Sequence, residues 1–141
     1  MRIGALAKRS GLTAHTLRYY ERIGLMPHAD RNASGQRDYD ASILAWIEFL
    51  GRLKATGMPI QERLRYARLR EGGAATASER RHLLEAHRQR IRARVAVLKA
   101  SVLVLDAKIL GYAEQEQETG LNDATELRTR ESAGARAARA R

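Results

Sequence analysis

The chain has 141 residues, with 26 Lys+Arg against 16 Asp+Glu and no cysteine. That length suits one modest domain plus an appendage, and the missing cysteines exclude a disulfide framework and thiolate chemistry. The positive excess lies in residues 1–112 (13 basic against 7 acidic over 1–75, 8 against 3 over 76–112), while 113–141 hold 5 basic and 6 acidic residues. That excess favours a polyanionic partner, and a merely solvated basic surface is the alternative that charge alone does not separate from it. Residues 1–12 lack the apolar core of a secretory signal, and no apolar run is long enough to span a membrane, so a soluble cytoplasmic protein is expected.

The first predicted element is a short apolar helix with Ile3, Leu6 and Ala7, closed by a Ser10-Gly11-Leu12 turn. Residues 13–25 follow as a second helix with two unlike faces. At ~100° per residue, Leu17, Tyr20 and Gly24 fall within about 40° of the Thr13 direction, and His15, Arg18, Tyr19 and Arg22 lie on the far side. One face packs on a core. The other offers guanidiniums, a phenol and an imidazole to phosphates and base edges. Helix, glycine-containing turn and helix make the helix-turn-helix pattern. His15, Thr16 and Arg18 are the candidates near base edges, and Tyr19 is a candidate phosphate anchor; the alternative is an ordinary surface helix with solvated charges.

Met26-Pro27-His28 starts an extended segment, Asp30, Asn32, Ser34 and Gly35 supply turn chemistry, and Gln36-Arg37-Asp38-Tyr39 returns as a second short strand. The result is a small hairpin, the wing of a winged helix-turn-helix. Arg37 and Tyr39 are two apart and share a strand face, where both can grip phosphate backbone; alternatively, Tyr39 packs on the next helix. Asp40 is placed to cap a third helix running to about Thr56, whose apolar residues Ile43, Leu44, Trp46, Ile47, Phe49, Leu50 and Leu53 spread over more than one stripe and predict deep burial. Gly57 is a helix stop, and Pro59 opens a fourth helix with Ile60, Leu64 and Ala67 among four arginines.

Gly72-Gly73 end the first domain, set at 1–73. Thr76 to Glu79 has capping-box spacing, so a new helix is predicted from about Ala77. From there Leu84, Ile91, Leu98, Leu105 and Tyr112 recur every seven residues, as do Arg88, Val95, Val102 and Ile109 four residues further on. Leu at d and β-branched residues at a define a coiled-coil seam. A helix over 76–112 would be about 54 Å long from Ala77, too long for a small core to cover, so a partner helix is required. Leu84, Ile91, Val95, Leu98, Val102, Leu105 and Ile109 form the predicted dimer interface. Arg88 is the odd member and marks where the seam frays or snorkels to water. Packing of the stripe on its own chain is the alternative. The a/d composition by itself favours a parallel pair. Residues 113–141, acidic at Glu114, Glu116, Glu118, Asp123 and Glu126 and then basic at Arg128, Arg130, Arg136, Arg139 and Arg141, are expected to be a frayed helix end followed by disorder.

The stretch Leu17-Arg18-Tyr19-Tyr20-Glu21-Arg22-Ile23-Gly24-Leu25, then Arg37-Asp38-Tyr39, then Gly57-Met58-Pro59-Ile60 closely resembles the MerR family of bacterial transcription regulators, over roughly residues 1–112. The resemblance implies a mainly α fold: a winged helix-turn-helix DNA-binding domain followed by a long dimerisation helix in an antiparallel coiled coil. It also implies backbone contacts by Arg37 and Tyr39, and a second wing from the third and fourth helices in which Lys54 meets phosphate, a solvated lysine being the alternative. The run from Trp46 to Gly57 looks most like the electrophile-sensing branch, whose cysteine would fall near Arg52; sensing by that route is in doubt here.

Catalysis finds little support. The only histidines are His15, His28, His82 and His87, and His82 and His87 are five apart, off a common helical face. No metal site or cofactor is expected, and no phosphate-binding loop or nucleophile elbow occurs. The reading is a homodimeric regulator that binds a pseudo-palindrome in double-stranded DNA; the resemblance implies that this operator lies in a promoter spacer, which the dimer distorts for RNA polymerase, with a small-molecule effector left open. The alternatives are an effector-independent repressor, an architectural or recombination accessory DNA-binding protein, and an adaptor working through its coiled coil.

Overall fold

A computed structural model describes the backbone of residues 1–140 and the side chains of residues 1–136. The elements are α1 (Ile3–Ser10), α2 (Ala14–Ile23), β1 (Asp30–Arg31), β2 (Arg37–Asp38), α3 (Ile43–Ala55), α4 (Ile60–Glu71), a 3-10 turn (Gly73–Thr76) and α5 (Ala77–Ala140). Packing divides the chain into two compact units, Met1–Ile91 and Arg92–Arg141.

Local chemistry explains most boundaries in the first unit. Gly11 ends α1 at φ 75° and Gly24 ends α2 at φ 86°, backbone conformations that cost an L side chain strain. Thr13 Oγ1 accepts the Thr16 N–H at 3.1 Å and so satisfies one donor at the start of α2. In the wing, β1 pairs antiparallel with β2, Arg31 opposite Arg37. The turn between them is held by Asn32 Oδ1, which accepts the N–H groups of Ser34 (2.9 Å) and Gln36 (3.0 Å).

The core forms where α1, α2, α3 and α4 meet. Leu6, Leu17, Leu25, Met26, Ile47 and Leu50 are buried together with Trp46 and Tyr39. Trp46 Nε1 donates to the Leu25 carbonyl at 2.9 Å, and its ring stacks on Tyr66 of α4 at 5.7 Å between centroids. As its several apolar stripes predict, α3 is heavily buried, with Ile43, Trp46, Ile47, Leu50 and Leu53 all inside.

Three local expectations change. Asp40 does not cap α3 directly, because α3 begins at Ile43 after a turn. Asp40 Oδ1 instead accepts the Ser42 N–H at 2.8 Å, a bond that holds its carboxyl below the ordinary carboxylate value. α5 does begin at Ala77, but the Thr76 hydroxyl does not cap it. It donates to the Leu69 carbonyl of α4 and lies 3.2 Å from Gly73 O, tying the 3-10 turn back to α4. Finally, residues 113–140, expected to be disordered, continue α5 as helix through Ala140. Large apolar residues are scarce in that stretch, and Leu121 and Leu127 stand exposed. Its Ala, Glu, Gln, Leu and Arg are good helix formers, and no proline interrupts them. Arg139 and Arg141 of the expected basic tail lie outside the described side chains.

The first unit also extends past the expected boundary near residue 73, taking in the first four turns of α5. His87, only 4% exposed, places Nε2 2.8 Å from Thr56 Oγ1 at the end of α3, and Arg90 Nη2 meets Glu62 Oε2 of α4 at 2.6 Å. Leu84 and Ile91 are consequently half-buried within their own chain. In the second unit α5 is the only element among the described residues. Val95, Leu98, Val102, Leu105 and Ile109 stand exposed there, Leu98 at 62%. No helix among the described residues is long and apolar enough to cross a membrane.

Candidate nucleic-acid interface

Leu17 anchors α2 to the core with no exposed surface, which turns His15, Arg18, Tyr19 and Arg22 outward. The Arg22 guanidinium lies 5.5 Å from the centre of the Tyr19 ring, a cation–π contact that limits where the phenol can point. Thr16 is half-buried, and its hydroxyl oxygen accepts from the Thr13 hydroxyl at 2.9 Å, so that side chain is engaged in the helix cap.

Glu21 organises the site, and the sequence reading passed over it. It sits four residues after Leu17 on the same face of α2 and is only 4% exposed. Its Oε2 accepts from Arg37 Nε at 3.1 Å, and its Oε1 accepts from the Tyr39 hydroxyl. The signal was present: a carboxylate on the core face of an amphipathic helix must find donors, because burying it unpaired costs several kcal/mol. Arg37 and Tyr39 share a strand face, as predicted, and both turn to this one carboxylate. With Nε held by Glu21, the plane of the Arg37 guanidinium is set, while the side chain keeps about a third of its surface exposed (36%).

Tyr39 therefore sits in the core, 4% exposed, and its hydroxyl serves Glu21. In this geometry the Tyr39 hydroxyl is engaged by Glu21, while Arg37 beside it stays partly exposed. Burial, then the hydrogen bond to Glu21 and the charge of Glu21, raises the Tyr39 pKa; the charges of Arg37 and Arg18 pull it the other way. The buried Glu21 carboxylate of α2 thus holds Arg37 and Tyr39 of the wing, and the charge of Arg18 is felt at the same tyrosine. Lys54 is exposed elsewhere, on a groove with Arg9, Ser10 and Leu12 at the α1–α2 turn.

The raised Tyr39 pKa makes a prediction. A phenol that stays protonated in the folded state contributes stability that is complete below the unfolded tyrosine value of about 10 and is lost as pH rises beyond it. Wild-type stability should accordingly fall between about pH 9 and 11 more steeply than that of Tyr39→Phe in denaturant titrations. Equal slopes for the two proteins would show that Tyr39 does not titrate against the fold.

No group of three or more His, Cys, Asp or Glu side chains among the described residues is arranged to hold a metal ion.

These elements define a winged helix-turn-helix protein whose second helix presents a cationic, aromatic face. The sequence profile described as "MerR family regulatory protein" matches residues 2–39. The HTH-type transcriptional regulator AdhR of Bacillus subtilis is 44% identical over 91 residues, a stretch covering 64% of this chain and 65% of AdhR. An uncharacterised HTH-type transcriptional regulator of Haemophilus influenzae is 33% identical over 106 residues, or 75% of this chain and 78% of that one. Among solved structures, HiNmlR, described as a MerR family regulator lacking the sensor domain and bound to promoter DNA, superposes with a TM-score of 0.69 at 31% identity, over 80% of this chain and 90% of its own. The chain belongs to the MerR family of transcriptional regulators.

Proposed function

We propose that this protein binds double-stranded DNA as a homodimer. Each subunit would place α2 in one of two successive major grooves of a pseudo-palindromic operator within a promoter spacer. His15, Thr16 and Arg18 lie nearest the base edges, Thr16 acting mainly by closing the cap with Thr13. Tyr19, Arg37 and Lys54 anchor phosphates, and Tyr39 supports Arg37 from beneath through Glu21. The bound dimer bends and untwists the spacer so that RNA polymerase can read both promoter elements, which makes the deformability of the DNA part of the specificity. The observation that carries this reading is the pairing of an outward cationic face on α2 with a wing arginine held beside it by a buried carboxylate. The promoter-bound HiNmlR structure supports the DNA partner.

The dimer reading rests on the exposed seam of α5. Covering Val95, Leu98, Val102, Leu105 and Ile109 would contribute ~1.5–3 kcal/mol per side chain before ordering entropy is subtracted. Regulation does not run through a cysteine thiol of this sequence, which has none.

Mapping genomic binding sites at base resolution tests the reading. Pseudo-palindromes within promoter spacers are the expected result, and sites confined to recombination loci would replace transcription control with an architectural role. On such an operator, affinity should fall steeply with salt. Arg37→Ala should weaken all sequences about equally and reduce the salt slope by roughly 1–2 units per dimer. An unchanged slope and affinity would remove Arg37 from the interface.

A further inference from the structure

We propose that the groove between the α1–α2 turn and α3 binds a small organic carboxylate with an apolar body, and that its occupancy weakens DNA binding. The site is read from the groove alone. Its effect on DNA rests on the reading of Lys54 as a phosphate anchor given above.

The groove measures about 540 Å³, the size of a small-molecule cleft. Its chemistry is divided between depth and mouth. Ile47 is buried, and Leu12, Leu44 and Tyr20 are half-buried, so the inner surface is apolar. Arg9 and Lys54 line the same groove and are exposed. They stand in the last turns of two different helices, α1 and α3, and the packing of those helices brings both to one cleft.

Neither cation is used by the fold. Arg9 and Lys54 have no ion-pair partner among the described residues. The carboxylate that lines the groove, Glu48, is turned to Arg52 of the next helical turn, at 3.9 Å. The groove therefore carries two uncompensated positive charges beside an apolar surface.

Gly51 keeps the groove open. It lies inside α3, where glycine weakens a helix relative to alanine. A Cβ at this position would meet nothing within 4 Å, so packing does not demand the glycine. The missing side chain leaves space between the apolar surface and the cations.

The two halves together select the ligand. A phosphate alone would satisfy the cations and leave the apolar surface wet. A carboxylate on a ring or branched chain meets both. Its oxygens suit the forked donors of Arg9 and the ammonium of Lys54, and its body removes the apolar surface from water. Such a ligand competes with a DNA phosphate for Lys54, which couples the groove to operator binding.

Amide NMR titrations of the full chain test the site with 2-naphthoate, its neutral counterpart 2-naphthamide, and inorganic phosphate. 2-Naphthoate should shift the Leu12, Leu44 and Gly51 amides saturably with a Kd of about 1 mM or tighter. The other two probes should bind about tenfold more weakly or worse, since each lacks one half of the chemistry. Arg9→Gln should bring 2-naphthoate down to the affinity of the amide. Gly51→Leu should fill the groove and remove binding, with the fold retained by circular dichroism. On operator DNA, saturating 2-naphthoate should raise the Kd by about threefold or more in wild type and leave Gly51→Leu unaffected.

Phosphate binding as tightly as 2-naphthoate would assign the groove to the DNA backbone alone. Equal binding of 2-naphthamide would remove the cations from the site, and undiminished binding in Gly51→Leu would place the ligand elsewhere. Each of these overturns the proposal, as does the absence of any saturable shift with either 2-naphthoate or benzoate. Saturable binding with unchanged operator affinity would overturn the coupling. In that case a Lys54→Gln protein with the wild-type salt slope would trace the failure to the DNA reading of Lys54, and a reduced slope would trace it to the groove.

Discussion

Leu98→Glu is expected to convert the protein to a monomer and reduce its affinity for a specific operator by about 10³-fold, towards nonspecific binding. Leu98 sits mid-seam on α5, 62% exposed in the single chain, with Val95 and Val102 flanking it. In a dimer the substitution buries two uncompensated carboxylates next to each other in an apolar seam, costing several kcal/mol per site. Leu98 belongs to the second compact unit, and the core of Leu6, Leu17, Trp46 and Leu50 lies in the first. The helix-turn-helix should therefore survive, with circular dichroism still reporting folded helices. Analytical ultracentrifugation together with DNA titration checks both halves. A Leu98→Glu protein that remains dimeric and binds its operator normally would show that this part of α5 is not the interface.

Glu21→Ala is expected to have the next largest effect, through the fold before the DNA. It leaves the Tyr39 hydroxyl and Arg37 Nε without the acceptor they share in a site where Glu21 is only 4% exposed. Removing one partner of a buried, hydrogen-bonded charge pair costs about 3 kcal/mol, which lowers the Tm by roughly 12–24 °C for a domain the size of the first unit. Glu21→Gln separates stability from function. Its amide oxygen can still accept from Tyr39, but its NH₂ group faces a guanidinium that can only donate. That variant should stay folded and lose operator affinity, because Arg37 is no longer held beside α2. Calorimetry on the two variants, with DNA titration of Glu21→Gln, reads the two effects apart. Unchanged stability in Glu21→Ala would mean that the Glu21–Arg37–Tyr39 cluster does not hold the wing to α2.

What could be read from the sequence were features set by neighbours along the chain. Gly11, Gly24 and Gly57 mark helix ends because each takes a positive φ that other residues resist. The outward turn of His15, Arg18, Tyr19 and Arg22 follows from helix periodicity once Leu17 is taken inside. The seven-residue repeat of α5 is a periodic signal of the same kind. Other features depended on groups far apart in sequence. The place of Glu21 on the core face of α2 is local, but its donors are not: the wing brings Arg37 and Tyr39 from 16 and 18 positions away. The tie of His87 to Thr56, 31 positions back, draws four turns of α5 into the first unit and half-buries Leu84 and Ile91 there. Thr76 has the spacing of a capping box, yet α4 offers it a carbonyl to bond instead. Periodicity and turn chemistry are properties of a local backbone and can be read residue by residue. A buried polar group's partner is chosen by whichever donor the folded chain brings within about 3 Å, and only the tertiary structure decides that.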